Sequence, residues 1–214
     1  NGGPILPHAL THFQGACETR GAVLGLLLRV YDLAYRWLHG LTDPAAQVGP
    51  ALRVALSRYR SPTVVLADGT RVRRGDRIAV LHLNNERVAR LHGDGRETPT
   101  AGLKFRRTCM ASLNELARQV AEGDRYAGIS AFMAHTILHQ VTQQLGFETL
   151  PLRSAVWSRL VAAYERTLLA HYHPLGRRGT RRPRFSEARA IWISRNELLR
   201  RYAPESSVRS DTSS

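Results

Sequence analysis

A tight turn in the second quarter of the chain constrains the fold more than any other local feature. Asp68 and Gly69 lie between an apolar run at residues 64–66 and a return through Val72. An Asp-Gly pair in that setting is typical of a β-hairpin, because glycine accepts the positive φ that the turn requires. The sequence therefore predicts two antiparallel strands joined at this turn.

A second turn, at Arg74-Gly75-Asp76, leads from the hairpin into the apolar run at residues 77–83. Apolar residues occupy both faces of this run, which indicates an interior strand. The run ends abruptly in Asn84-Asn85. We expect this hairpin unit, at about residues 62–83, to be the base of a small, mainly antiparallel sheet.

Apolar residues at helical spacing predict four amphipathic helices that pack with the sheet. They cover residues 21–39, 103–120, 131–145 and 154–168. Ser130 and Ser154 would cap the last two, since a serine hydroxyl accepts a hydrogen bond from a free amide of the first turn. The apolar side of the fourth helix comprises Trp157, Leu160, Val161, Tyr164 and Leu168. The predicted fold class is α+β.

Three short strands complete the prediction, at residues 126–129, 147–150 and 188–193. Ser194 and Glu197 then have the spacing of a capping box ahead of a final helix. Residues 52–57 fit either a strand or a helix, and the pattern does not decide between them.

The domain organisation follows from where these patterns begin and end. Residues 1–20 have no sustained period and read as a loosely ordered lead-in, and residues 21–203 form a single domain. The Ser-rich segment 204–214 is predicted to be disordered.

The charge is strongly positive, with 31 Lys and Arg residues against 17 Asp and Glu and a formal net charge of +14. Lys104 is the only lysine, so the excess is arginine. The planar guanidinium binds phosphate and carboxylate in a bidentate manner, so this balance favours an anionic partner. A genome-wide bias in base composition would explain the arginines equally well.

Cysteine usage and hydropathy indicate a cytoplasmic protein, with peripheral association with the membrane as an open alternative. Cys17 and Cys109 are the only cysteines, which favours free thiols in a reducing compartment. The longest apolar run, at residues 22–28, is far shorter than the roughly 20 residues that a membrane span needs. No motif for a cofactor is present, so none is expected.

The first candidate site follows the predicted interior strand. His82, Asn84, Asn85 and Glu86 place an imidazole, two amides and a carboxylate at a strand end, where catalytic residues often lie. The alternative is structural, with the two asparagines forming a turn and Glu86 beginning a helix.

His135 and His139 form the second candidate, since histidines four residues apart on a helix can share a metal ion. The spacing is similar to the His-Thr-x-x-His element of polysaccharide deacetylases. That comparison fails because the chain has no Asp-Asp pair for the third ligand and the base. We therefore expect surface histidines and no metal site.

A basic segment near the carboxyl terminus is the third candidate. It contains five arginines that could bind an anionic ligand: Arg177, Arg178, Arg181, Arg182 and Arg184. A solvated loop is the alternative. Aromatic residues do not alternate with these arginines as they do in single-stranded nucleic-acid binders.

Three groups of residues together resemble the YkoP-like domain family of bacteria over about residues 22–203. The first group runs from Gly75 to Asn85, the second includes Gly128-Ile129-Ser130 and Leu145-Gly146-Phe147, and the third runs from Ile191 to Tyr202. Members of that family occur alone or attached to polysaccharide deacetylase domains. The resemblance implies a stand-alone member with a role in the metabolism of cell-envelope polysaccharide or glycolipid. It does not identify catalytic residues in this chain.

Three hypotheses about function follow. The first is an accessory protein whose partner is an anionic glycolipid, the membrane surface or a polysaccharide-processing enzyme. The second is an enzyme that uses the polar site at His82–Glu86. The third is a nucleic-acid-binding protein, which rests on net charge alone. The oligomeric state is left open.

Overall fold

The computed structural model describes residues 44–84, 87, 101–172 and 187–204, and side chains at 101 and 169–172 lie outside the description. All these residues fall within one compact unit. Several predictions fall outside these described residues. They concern the lead-in at 1–20, the helix at 21–39, most of the tail, and the residues Cys17, Asn85, Glu86 and Arg177–Arg184.

The described chain forms eight strands and four α-helices, with short 3-10 helices at Pro44–Ala46 and Asp124–Tyr126. The strands are β1 Gln47–Val48, β2 Leu52–Arg58, β3 Val64–Val65, β4 Arg71–Val72, β5 Arg77–Leu83, β6 Ala131–Thr136, β7 Glu148–Pro151 and β8 Arg189–Ser194. The helices are α1 Ala101–Glu122, α2 His139–Gln143, α3 Ala155–Tyr172 and α4 Arg195–Tyr202. The predicted α+β class is confirmed.

Six strands form one sheet in the order β1-β2-β5-β6-β8-β7, and β3 pairs with β4 in a separate two-stranded sheet. All neighbours in the large sheet are antiparallel except β5 and β6, which are parallel. A parallel pair needs a crossover connection, and α1 lies in the chain between these two strands. The sheet is thus larger than predicted, and the hairpin packs against it instead of belonging to it.

Two hydrophobic clusters cover opposite faces of the large sheet. On the helix face, strand residues pack against the α1 stripe of Cys109, Leu113, Leu116, Ala117 and Val120 and against Leu198 of α4. On the hairpin face, Leu66 and Val72 of the β3–β4 unit pack against strand residues that include Met133 and Trp192. Tyr59 contacts the edge of the Trp192 ring, with the ring centroids 5.5 Å apart.

The local signals for the hairpin and for two strands of the sheet are confirmed, and a segment that the sequence left undecided is also a strand. Gly69 has a φ of 83°, as the predicted turn requires. The run 77–83 is an interior strand between β2 and β6. Residues 52–57, whose pattern fits either a strand or a helix, lie in β2. The last predicted strand is β8, shifted by one residue at each end.

The caps of the last two helices are also confirmed in part. Ser154 Oγ accepts a hydrogen bond from Trp157 N, and Ser194 Oγ accepts one from Glu197 N. The Glu197 carboxylate binds Arg200 and Arg201, and the hydrogen bond from Arg200 is the main reason why its pKa falls to about 2. Ser194 Oγ also donates to Asp68 Oδ2 at 2.5 Å, so it joins the hairpin turn to the start of α4.

Two predictions in the middle of the chain are wrong. The strand predicted at residues 126–129 is a 3-10 helix over Asp124–Tyr126 followed by a turn at Gly128. The helix predicted at 131–145 is the strand β6, followed by the short helix α2. The first three residues of β6 are all buried, because a strand inside a sheet covered on both faces needs no polar side.

The predicted apolar side of the fourth helix differs from the observed one, and two large apolar residues of α1 also lie off its buried stripe. Leu103 and Met110 of α1 are exposed, and so are Trp157 and Leu160 of α3. The helices themselves occur where the pattern predicted them.

A substitution at Gly49 would test how closely α1 packs on the first strands. Its φ is 57°, and an added Cβ would lie 2.7 Å from Ser112 Cα and 2.9 Å from Ser112 Oγ. Ser112 Oγ accepts a hydrogen bond from Ala51 N at 2.8 Å, so it has little freedom to move. We expect Gly49→Ala to destabilise the fold by about 3 kcal/mol or more, measured by urea denaturation.

Gly69→Ala is the matched control. Its φ of 83° imposes a similar backbone strain, but no atom lies within 4 Å of the added Cβ. We expect a loss of about 1 kcal/mol, from strain alone. Equal losses in the two variants would contradict the proposed clash with α1.

Candidate functional site

The order and register of the strands bring three basic residues into one row on the hairpin face of the sheet. Arg53 of β2 lies directly opposite His82 of β5. The parallel pairing of β5 and β6 aligns Ala79 with Phe132 and Val80 with Met133, and the same register extended by two residues would bring His82 beside His135. We call Arg53, His82 and His135 the basic row.

The alternation of side chains places all three members on the same face. Their chain neighbours Val54, Leu81 and Ala134 belong to the cluster on the helix face. Since successive side chains of a strand point to opposite faces, Arg53, His82 and His135 point to the hairpin face. Paired strands are about 4.8 Å apart, so Arg53 and His82 are adjacent, and the extended β5–β6 register would place His135 next to His82.

The row lies at the edge of the packed part of that face. Arg53 and His82 are half-buried, and His135 is exposed. The next position across the sheet is Ala190 of β8, which is buried. The removal of water by the surrounding protein lowers the pKa of His135, although the side chain as a whole stays exposed.

Asn84, a predicted catalytic residue, is buried and engaged in contacts with the protein. Its amide nitrogen donates to Gln47 Oε1 at 2.8 Å, and its oxygen accepts a hydrogen bond from Arg87 N. Its backbone N donates to Ala51 O. These bonds fix the end of β5 against β1 and the start of β2. The catalytic role of His82, Asn84, Asn85 and Glu86 stays a prediction.

His135 and His139 do not lie on one helix, so the helical geometry that led us to consider a shared metal ion does not occur. His135 is in β6 and His139 begins α2. Within the described ranges, no three His, Cys, Asp or Glu side chains lie close enough together to hold a metal ion.

A buried carboxylate beside the end of β6 was not predicted from the sequence. Glu165 Oε2 of α3 accepts a hydrogen bond from Ile137 N at 2.7 Å, and its carboxylate also bonds the Thr136 side chain. Burial raises the pKa of Glu165 to about 7. Its position in the sequence could have indicated burial, because Ser158, Ala162 and Glu165 follow one side of α3. The first two of these residues are buried.

His139 lies near the same end of the sheet. Its Nδ1 is buried and makes no hydrogen bond within the described structure. Burial and the nearby Arg189 guanidinium lower the pKa of the imidazole. This ring is therefore mainly neutral at neutral pH.

A shallow depression of about 300 Å³ lies at the end of α1, away from the basic row. Its lining includes Arg118, which is paired with both Glu115 and Glu122 at 2.6 Å. Because these carboxylates already neutralise the guanidinium, the depression is a weak candidate for an anion site.

Comparison with known proteins gives a consistent family assignment. The model of the YkoP domain matches residues 22–202. The chain is 25% identical over 122 residues to the protein "Uncharacterized protein YkoP" of Bacillus subtilis strain 168, which covers 57% of this chain and 67% of that protein. No solved structure matches significantly.

The raised pKa of Glu165 predicts a pH-dependent stability. The carboxyl of the unfolded chain ionises near 4.5 and that of the folded chain near 7, so the folded state holds the extra proton between these values. The stabilisation is present below about pH 4.5 and is lost as the pH rises through about 7. We expect the free energy of unfolding of Glu165→Gln, relative to that of the wild type, to increase by up to about 3 kcal/mol as the pH rises from about 5 to about 8.

The measurement is chemical denaturation of both proteins across that pH range, and the quantity compared is the difference in the free energy of unfolding. Contributions from His135 and His139 cancel in this difference. Glu122→Gln, which removes an exposed carboxylate, is the control and should show no such trend. A difference that does not change with pH would contradict the raised pKa.

Proposed function

Because this chain belongs to the YkoP domain family, we propose that it is an accessory domain of cell-envelope polysaccharide or glycolipid metabolism that binds an anionic group of its partner. The basic row of Arg53, His82 and His135 is the binding surface in this proposal. The anionic group is a phosphate or a carboxylate.

The observation that carries the proposal is the placement of a guanidinium and two imidazoles on one face of three adjacent strands. A guanidinium binds phosphate or carboxylate through two parallel hydrogen bonds. Each imidazole adds a donor and, when protonated, a positive charge. The formal net charge of +14 adds a long-range attraction for anions.

The row is a rigid surface, because each member is held by a strand inside a six-stranded sheet. Sites on strands are positioned more precisely than sites on loops. The position next to His135 is occupied by Ala190, whose small, buried side chain belongs to the cluster on the hairpin face.

The arginine segment Arg177–Arg184 would supply a second contact for the same partner, and this stays a prediction. The enzyme hypothesis depends on Asn85 and Glu86 as well as on His82. Asn84 contributes less to it, since both its side-chain atoms bind protein groups. The nucleic-acid hypothesis has no support beyond net charge.

Sulfate is a suitable probe for the basic row, because it keeps its double charge across the range in which histidine titrates. We expect sulfate to raise the pKa values of His82 and His135, since a bound anion stabilises the imidazolium form. The binding should tighten as the pH falls through these values. The measurement is an NMR titration of the imidazole resonances with and without sulfate at constant ionic strength.

Arg53→Gln should weaken sulfate binding about tenfold, because it removes a charge-assisted hydrogen bond. Arg60→Gln is the matched control: Arg60 is exposed and lies beyond the end of β2. Histidine pKa values that do not respond to sulfate, or an equal response in both variants, would contradict the proposed site.

The role in the cell envelope needs a separate test in the native host. Deletion of the gene should change the composition of the envelope polysaccharides or glycolipids, measured by mass spectrometry. The wild type and Arg60→Gln should restore the composition, and Arg53→Gln should not. An unchanged composition after deletion would reject the envelope role and leave the anion site to be judged by the sulfate experiment.

A further inference from the structure

Helix α3 exposes an apolar stripe on the side that faces away from the sheet. The exposed fractions are 67% for Val156, 52% for Trp157 and 58% for Leu160. Three large apolar side chains so close together on one surface are unusual, because each exposes area that water disfavours. Contiguous apolar patches of this kind mark interaction surfaces.

The stripe is distinct from the side by which α3 packs on the fold. The packed side contains Ser158, whose hydroxyl donates to Ala188 O at 2.8 Å, the fully buried Ala162, and Glu165. At about 100° per residue, Val156 and Leu160 lie on the opposite side of the helix axis from these three residues. A helix whose outer side carries several large apolar side chains normally has that side covered as well.

Arginines border the stripe. Arg153 precedes the first turn of α3 and Arg159 lies beside Leu160, and both are exposed. The sequence of α3 contains one acidic residue, Glu165, and this carboxylate is turned towards Ile137 of the sheet. The outer surface of α3 is therefore apolar at its centre and positive at its margin.

We propose that this outer face of α3 docks the protein on the surface of an anionic lipid bilayer. Val156, Trp157 and Leu160 enter the boundary between headgroups and acyl chains, where tryptophan is favoured. Arg153 and Arg159 bind the lipid phosphates around them. The helix lies parallel to the bilayer plane and remains attached to the sheet by its packed side.

Charge complementarity selects this occupant over a second copy of the chain. Two copies that met through this face would bring four arginines together, and α3 itself would supply no carboxylate to neutralise them, since Glu165 points inward. Like charges at an interface oppose association. An anionic bilayer supplies both the apolar layer and the compensating charge.

The docking face and the basic row are different surfaces, so the two proposals succeed or fail separately. No helix in the described ranges 44–84, 101–172 and 187–204 is long and apolar enough to cross a bilayer. Docking by α3 requires only shallow insertion of one side of one helix.

Sedimentation with unilamellar vesicles tests the inference on the full chain. We expect binding to equimolar phosphatidylcholine and phosphatidylglycerol, weaker binding at high salt, and little binding to phosphatidylcholine alone. The double variant Val156→Gln and Leu160→Gln should lower the partition coefficient about tenfold or more. Its melting temperature should not change, since both side chains are exposed in the wild type.

Two controls separate this face from other sources of binding. Val65→Gln changes a valine of the hairpin that is 57% exposed, and it should leave the partition coefficient unchanged. Arg159→Glu should weaken binding, and Arg60→Glu, which makes the same change at another exposed arginine, should have a smaller effect.

Three outcomes would overturn the inference. The first is that the wild type does not bind anionic vesicles at low salt. The second is that His82→Asn with His135→Asn abolishes vesicle binding while the α3 double variant binds normally, which would assign the membrane contact to the basic row. The third is a wild-type dimer in analytical ultracentrifugation that the α3 double variant converts to a monomer.

Discussion

The parallel pairing of β5 with β6 is the interaction on which the rest of the structure depends. It is the one parallel contact in a sheet whose other contacts are antiparallel. It brings His82 and His135 onto neighbouring strands, sets α1 on one face of the sheet, and places β6 where β8 can join it. A shift of one residue in this register would turn His135 to the opposite face and bury a polar ring among apolar side chains.

Sequence patterns predicted the elements that are specified by neighbouring residues. The hairpin follows from Asp68-Gly69, the interior strand β5 from its apolar run, and the start of α4 from Ser194. The pattern failed at β6, where a buried strand has no alternation that distinguishes it from a helix. Histidines four residues apart then suggested a helical pair that the structure does not contain.

The candidate site was predictable only in part, because its members come together through pairing between distant strands. His82 was predicted from its position at a strand end, and His135 was considered for a different chemistry. Their alignment depends on the β5–β6 register, which no local pattern reveals. Glu165 was missed because one acidic residue in an amphipathic helix normally faces water. Here the hydrogen bond that Ile137 N donates to the carboxylate accounts for the inward position of Glu165.

The strand order has a consequence for the synthesis of the chain. β8 is the last of the described strands to be made, yet it lies between β6 and β7 and pairs with both. Until residues 189–194 have emerged from the ribosome, β7 has no neighbour in the sheet and β6 has an open edge. Exposed strand edges promote aggregation. A nascent or truncated chain that stops before Arg189 therefore exposes the edge of β6 to unwanted strand pairing, and β8 covers that edge once it has been made.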